Sequence, residues 1–139
     1  MIAYKVCRVL RDGRFSSAMV SPGNRGGIPY AVGERSVPSI PNSKIFVFET
    51  FRDARYFAIY HRRTVSKMRK RFAILKVEAE DTMSINYCAE VFWHRGELAW
   101  WWKRPAIKNQ SHEYKGNQRV PYGTLVSTAV TVISVEEVD

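Results

Sequence analysis

The sequence predicts an α+β fold in which a mainly antiparallel sheet carries an N-terminal hairpin and one main helix packed on it. Three observations support this prediction. Segments rich in β-branched and aromatic residues recur along the chain, Asp12 and Gly13 separate the first two of them, and a helical pattern starts at Phe51. A length of 139 residues with 45% hydrophobic residues fits a single domain covering residues 1–139.

The first predicted element is the hairpin. Residues 2–10 and 15–20 have strand composition, and Asp12 and Gly13 between them favour the left-handed backbone of a two-residue turn. Glycine and proline dominate residues 21–42, which we expect to form a loop with a short strand at 30–32. The stretch PGNRGG lacks the lysine and hydroxyl spacing of a phosphate-binding loop, which favours a connector.

Next come a largely buried strand at residues 45–49 and the main helix directly after it. Thr50 offers a hydroxyl to cap the helix, and the carboxylate of Asp53 suits the positive helix end. The apolar positions expected to dock on the sheet are spaced by three and four residues: Phe51, Ala54, Phe57 and Ala58. Arg52, Arg55 and the later basic residues are then expected to face outward.

Three further segments complete the predicted sheet. Residues 72–80 alternate between an apolar face and a partly wet face, which predicts a strand. Residues 86–105 predict two strands about a turn because they are rich in aromatic residues, with a short helix followed by a strand as the alternative. After a polar loop at 105–121, the β-branched run 123–138 predicts one central strand, since it is apolar on both faces.

Four short motifs give the chain a resemblance to a loose group of small proteins from bacteria, phages and other viruses. These motifs are YKV near the start, YAVG at 30–33, FVFETFRDARYFA at 46–58 and PxGTLV at 121–126. The resemblance implies a compact α+β domain and a viral or mobile-element origin, and it implies no activity. The basic residues after position 60 and the tryptophans lie outside the shared motifs, so an individual function is expected there.

Cysteine usage and hydropathy indicate the cellular location to expect for such a protein. Cys7 and Cys88 lie in apolar, strand-like surroundings without the spacing of a zinc site, so we expect reduced core thiols, no metal and no cofactor. The first ten residues lack the apolar core of a signal peptide, and no run is long enough to cross a bilayer. We therefore expect a cytoplasmic protein without a membrane span, in the host cytoplasm if it is viral. The sequence does not indicate its oligomeric state.

The formal net charge of +9 favours an acidic partner, such as nucleic acid, an anionic membrane surface or an acidic protein face. Six cations and no acid lie among the eleven residues from His61 to Arg71, here named the basic run, and subtracting them leaves +3 on the rest of the chain. Clustered cations displace counterions from a phosphate backbone, and arginine can hold phosphate oxygens with two hydrogen bonds. The alternative is that the basic run is only the solvated end of a helix and a loop.

The run WWW at 100–102, with Trp93 nearby, is the second unusual feature. In a strand, neighbouring tryptophans point to opposite faces, so we expect an aromatic side chain at the surface beside Lys103 and Arg104. Such a side chain would suit stacking on an unpaired base or an interface hot spot, whereas the alternative is that all four tryptophans fill a core. We predict that nucleic-acid contacts are made by Arg62, Arg63, Lys67, Arg69, Lys70, Arg71, Trp101, Lys103 and Arg104.

The sequence therefore predicts a small basic, non-enzymatic protein that contacts nucleic acid or an acidic protein surface. No catalytic residues are predicted, because His61, His94 and His112 are scattered along the chain. Two other classes compete. A virion or other assembly component would self-associate stably at low concentration, and an ADP-ribosyltransferase-like enzyme would need a deep pocket with a carboxylate at its floor.

Overall fold

The computed structural model describes residues 1–18, 28–39, 43–64, 71–85, 87–89 and 117–138. These residues form eleven strands and one helix. In chain order, the elements are β1 (Ile2–Val9), β2 (Phe15–Ser17), β3 (Pro29–Tyr30), β4 (Arg35–Ser36), β5 (Ile45–Phe48), α1 (Phe51–Thr64), β6 (Arg71–Glu80), β7 (Met83–Ser84), β8 (Tyr87–Ala89), β9 (Asn117–Arg119), β10 (Thr124–Ser127) and β11 (Ala129–Val138).

Nine of these strands belong to one sheet with the order β4-β11-β6-β1-β5-β10-β7, in which β2 also pairs with β1 and β3 pairs with β2. Every pairing between these strands is antiparallel, and so is the separate pair formed by β8 and β9. An isolated parallel bridge joins Val32 to Val132. The predicted combination of a mainly antiparallel sheet, an opening hairpin and a helix is confirmed for the described part of the chain.

The sheet has two halves, because β1 and β5 share a single residue pair, Tyr4 with Phe48. One half contains β4, β11, β6 and β1, and the other contains β5, β10 and β7. The hydroxyl of Ser127 at the end of β10 donates to the carbonyl of Glu80 at the end of β6, at 2.6 Å, although β1 and β5 separate these strands in the order. The sheet therefore folds back on itself and encloses a core of residues from both halves. Members of this core include Leu75 and Val77 from β6, Ile45 and Val47 from β5, and Leu125 from β10.

The helix covers the opposite face of β1 and β6. Ala54 and Ala58 are buried in a second cluster with Val6, Phe48, Phe72 and Ile74, and Phe51 and Phe57 pack against it. The rings of Phe48 and Phe57 lie 5.1 Å apart, within the range of favourable aromatic contacts. The predicted apolar stripe of the helix is therefore confirmed.

The start of α1 is capped as predicted. The backbone N–H of Asp53 donates to the hydroxyl oxygen of Thr50 at 3.1 Å, and that hydroxyl donates to the Asp53 carboxylate at 2.9 Å. Gly123, which precedes β10, has a φ of +80°, and a Cβ atom at this position would collide with the Asp53 carboxylate. Its carbonyl accepts the N–H of Glu49 at 2.9 Å. The approach of Gly123 thus joins the helix start to the second half of the sheet.

Three sequence predictions differ from the structure. The run 123–138 forms two strands, β10 and β11, in separate parts of the sheet instead of one central strand. The chain breaks between them at Ser127, whose hydroxyl lies within hydrogen-bond distance of the Glu80 and Ala129 carbonyls and can donate its single proton to either, and such hydroxyls compete with the regular ladder. β9 also lies within the region predicted as a polar loop.

The hairpin turn is the third difference. The Gly13 N–H donates to the Leu10 carbonyl and the Leu10 N–H donates to the Arg14 carbonyl, at 2.9 and 2.8 Å. Gly13 has a positive φ of 84°, whereas Asp12 does not have a positive φ. This is a turn followed by a glycine bulge, with a longer loop than the predicted two residues.

Candidate nucleic-acid interface

The structure describes part of the predicted site. Arg62 and Arg63 belong to the last turn of α1, and Arg71 is the first residue of β6 and is exposed. The basic run therefore starts on the helix and ends on the central strand β6. The predicted contact residues outside the described ranges are Lys67, Arg69, Lys70, Trp101, Lys103 and Arg104.

One end of the sheet, here named the hairpin end, contains the loop from Leu10 to Arg14 and the start of β6. Val9, the last residue of β1, lies opposite Phe15 of β2 on one side and opposite Arg71 of β6 on the other. Because neighbouring strands are about 4.8 Å apart, the loop and the start of β6 are adjacent. Arg11 in the loop is exposed and has no ion pair within the described ranges. The fold therefore places Arg11 beside the end of the basic run.

Arg14 in the same loop is held by an acid. The Asp12 carboxylate accepts the Arg14 backbone N–H at 3.1 Å and its Nε–H at 2.6 Å. Both hydrogen bonds hold the pKa of Asp12 below its ordinary value, and the bond from the Arg14 backbone N–H has the larger effect. The pair is exposed and adds little to stability, but the negative charge of Asp12 offsets that of Arg14. Arg11 thus supplies the net positive charge of the loop.

Arg8 adds a buried positive charge close to the hairpin end. It lies between Ser16 of β2 and Phe72 of β6, and only 8% of its surface is exposed. One guanidinium N–H donates to the Ala18 carbonyl at 3.3 Å, while Nε has no partner among the groups the structure describes. Burial lowers the pKa of Arg8, but a guanidinium in a protein stays charged. Its charge therefore adds to the positive potential at this end.

The outward face of α1 carries a row of aromatic and basic residues, here named the helix stripe: Arg52, Tyr56 and Tyr60. Tyr56 is 75% exposed, Tyr60 is 59% exposed, and Arg52 is also exposed. Their spacing of four residues places them on one face, opposite the buried Ala54 and Ala58. The prediction that Arg52 faces outward is confirmed. The two tyrosines were not predicted, although their spacing from Arg52 could have revealed them.

A separate polar cluster lies where β5 and β2 diverge from the same edge of β1. β5 pairs with β1 at Tyr4, and β2 pairs with it from Cys7 onward, so Lys5 lies at the gap between them. The Lys5 amine donates to the Phe46 carbonyl at 2.9 Å and lies 5.6 Å from the centroid of the Tyr30 ring. Lys5 thus satisfies a carbonyl at the point where the two halves of the sheet separate.

Burial controls the protonation of this cluster. It lowers the pKa of Lys5, raises the pKa of the Cys7 thiol to about 12, and raises the pKa of Tyr30. The thiol and the phenol therefore stay protonated at neutral pH, which makes Cys7 a poor nucleophile. Cys7 is a free, buried thiol, as the sequence predicts. The cluster offers an amine, a thiol and a phenol, whereas the transferase alternative needs a carboxylate.

The described residues contain no group of three or more His, Cys, Asp or Glu side chains that could hold a metal ion. Their one helix has 14 residues, and no helix in the described ranges is long and apolar enough to span a membrane. No protein-family model matches the sequence, and comparisons with curated proteins and with solved structures gave no match.

Proposed function

We propose that the protein is a small basic, non-enzymatic binding module that holds a nucleic-acid backbone at its hairpin end and basic run. The observation that carries the proposal is the register of β1, which pairs Val9 with Arg71 and so brings the loop that contains Arg11 to the end of the sheet where β6 begins. Two segments that are 60 residues apart thereby contribute exposed cations to one end of the domain. The remaining exposed arginine of the loop, Arg14, is offset by Asp12.

A phosphate backbone is the partner that best uses such an arrangement. Each phosphate that a cation neutralises releases condensed counterions, so several cations on one surface give binding that falls steeply with salt. Two other exposed arginines are ion-paired: Glu80 accepts two hydrogen bonds from Arg35, and Glu137 accepts one from Arg55. Arg11, in contrast, has no ion pair within the described ranges.

The test measures oligonucleotide affinity as a function of salt. The slope of the log-log plot should fall by about 0.7–0.9 for each phosphate contact that a substitution removes. We expect Arg11→Gln to lower the slope by one such step and the combined change of Arg69, Lys70 and Arg71 to Gln to lower it further. Arg35→Gln is the matched control, because it removes one exposed arginine charge near the opposite end of β6, beside Glu80, and should leave the slope unchanged.

Two results would overturn the proposal. In the first, the wild-type protein binds oligonucleotides no better than the triple variant at low salt, which leaves an acidic protein surface as the partner of the basic run. In the second, Arg11→Gln and Arg35→Gln change the slope equally, which would mean that affinity depends on the net charge of the protein and not on where the charge lies. Thermal melting of each variant checks that the fold is retained, since exposed charges contribute little to stability.

A further inference from the structure

We infer that the helix stripe stacks on unpaired bases, so that the protein prefers single-stranded nucleic acid to a duplex. This inference rests on the proposed function and names the form of nucleic acid that the site takes. Tyr56 and Tyr60 are among the most exposed large side chains that the structure describes, at 75% and 59%. Neither tyrosine belongs to the buried clusters among the described residues, in which Ala54 and Ala58 on the opposite face of the helix pack against the sheet.

The geometry of the stripe fits a row of bases. Residues four apart on a helix are separated by about 6 Å along its axis and lie on the same face. An extended single strand can offer successive base faces at this kind of spacing, and tyrosine rings stack on any base because every base has a π face. In a duplex, the bases stack on each other, so their faces are not available to the tyrosines.

Charge complementarity selects nucleic acid over an apolar partner for this face. Arg52 precedes Tyr56 by one turn and has no ion pair within the described ranges. Position 63 follows Tyr60 by three residues and so lies on the same face of the helix, where the basic run has already begun. A strand whose bases lie on the tyrosines would therefore have the Arg52 guanidinium for a phosphate at one end of the stripe, and the basic run follows the stripe in the sequence.

The experiment compares a thymidine oligonucleotide with a duplex of the same length by fluorescence anisotropy. Tyr56→Leu and Tyr60→Leu remove a ring without changing the charge, and each should weaken single-strand binding about 5- to 100-fold. Tyr56→Phe and Tyr60→Phe keep the ring and should stay within about two-fold of wild type. Duplex affinity and the salt slope should be unchanged in all four variants, because no phosphate contact is lost.

The outcomes separate this inference from the proposed function. If the wild-type protein binds no oligonucleotide at low salt, the proposed function fails and the inference fails with it. If binding is salt-dependent but the leucine variants match wild type, the backbone site stands and the stacking inference is wrong. The same conclusion follows if the leucine variants weaken single-strand and duplex binding equally, or if wild type has no single-strand preference.

Discussion

Replacing Gly123 by alanine is expected to destabilise the protein by about 2–3 kcal/mol. Backbone strain accounts for about 1–2 kcal/mol of this loss, because Gly123 has a φ of +80°, which L residues rarely adopt. The rest arises because the new Cβ would displace the Asp53 carboxylate and weaken the cap that Asp53 forms with Thr50, an interaction of about 1 kcal/mol. In a domain of this size, the melting temperature should fall by about 6–12 °C.

Gly33→Ala provides the matched control for this experiment. Gly33 has a similar φ of +84°, but an added Cβ would meet no atom within 4 Å. Its substitution should therefore cost only the strain, and denaturant unfolding of both variants measures the difference. Asp53→Ala should partly relieve Gly123→Ala in a double mutant, because the colliding group is gone. If Gly123→Ala and Gly33→Ala cost the same, the collision with Asp53 has no energetic consequence and the reasoning is refuted.

Three further predictions concern stability. Thr50→Ala should cost about 1 kcal/mol in denaturant unfolding, whereas Thr50→Ser should retain most of the cap; equal losses would contradict the capping role. Cys7 keeps its proton up to about pH 12 when folded but loses it above about pH 9 when unfolded, so its contribution to stability should fall over this range, measured as the difference in unfolding free energy between wild type and Cys7→Ala. Lys5 has a lowered pKa when folded, so the unfolded chain binds more protons below pH 10.5, and the contribution of Lys5 to stability should rise with pH toward that value. Lys5→Met should abolish this rise, and a rise that persists would assign it to another group.

Local patterns were enough to predict the main helix and the long strand β6. The cap at Thr50 and the apolar spacing after it depend on residues within a few positions of each other, and both are confirmed. The alternation in residues 72–80 likewise follows from one buried face: Ala73, Leu75, Val77 and Ala79 are all buried. The opposite face of this strand is less exposed to solvent than predicted, because α1 also buries Phe72 and Ile74.

The pairing of distant segments could not be predicted in the same way. A run that is apolar on both faces fits two separate strands as well as one, and hydroxyl contacts at Ser127 decide between them. The contribution of Arg11 to the candidate site depends on the register between β1 and β6, which the composition of neither strand specifies. In contrast, Tyr56 and Tyr60 could have been placed by the helical spacing that predicted the outward direction of Arg52.

The strand order has a consequence for folding during synthesis. β6 pairs along its length with β1 on one edge and with β11 on the other, where Val138 lies opposite Ala73. Roughly 60 residues separate the end of β6 from the end of β11, so a ribosome adding 5–20 residues per second needs about 3–12 s to supply the second partner. During that interval, β6 of a nascent chain has an open edge that can pair with another chain. Slow translation should therefore favour aggregation of this protein, and chaperones that shield an exposed strand should raise its yield.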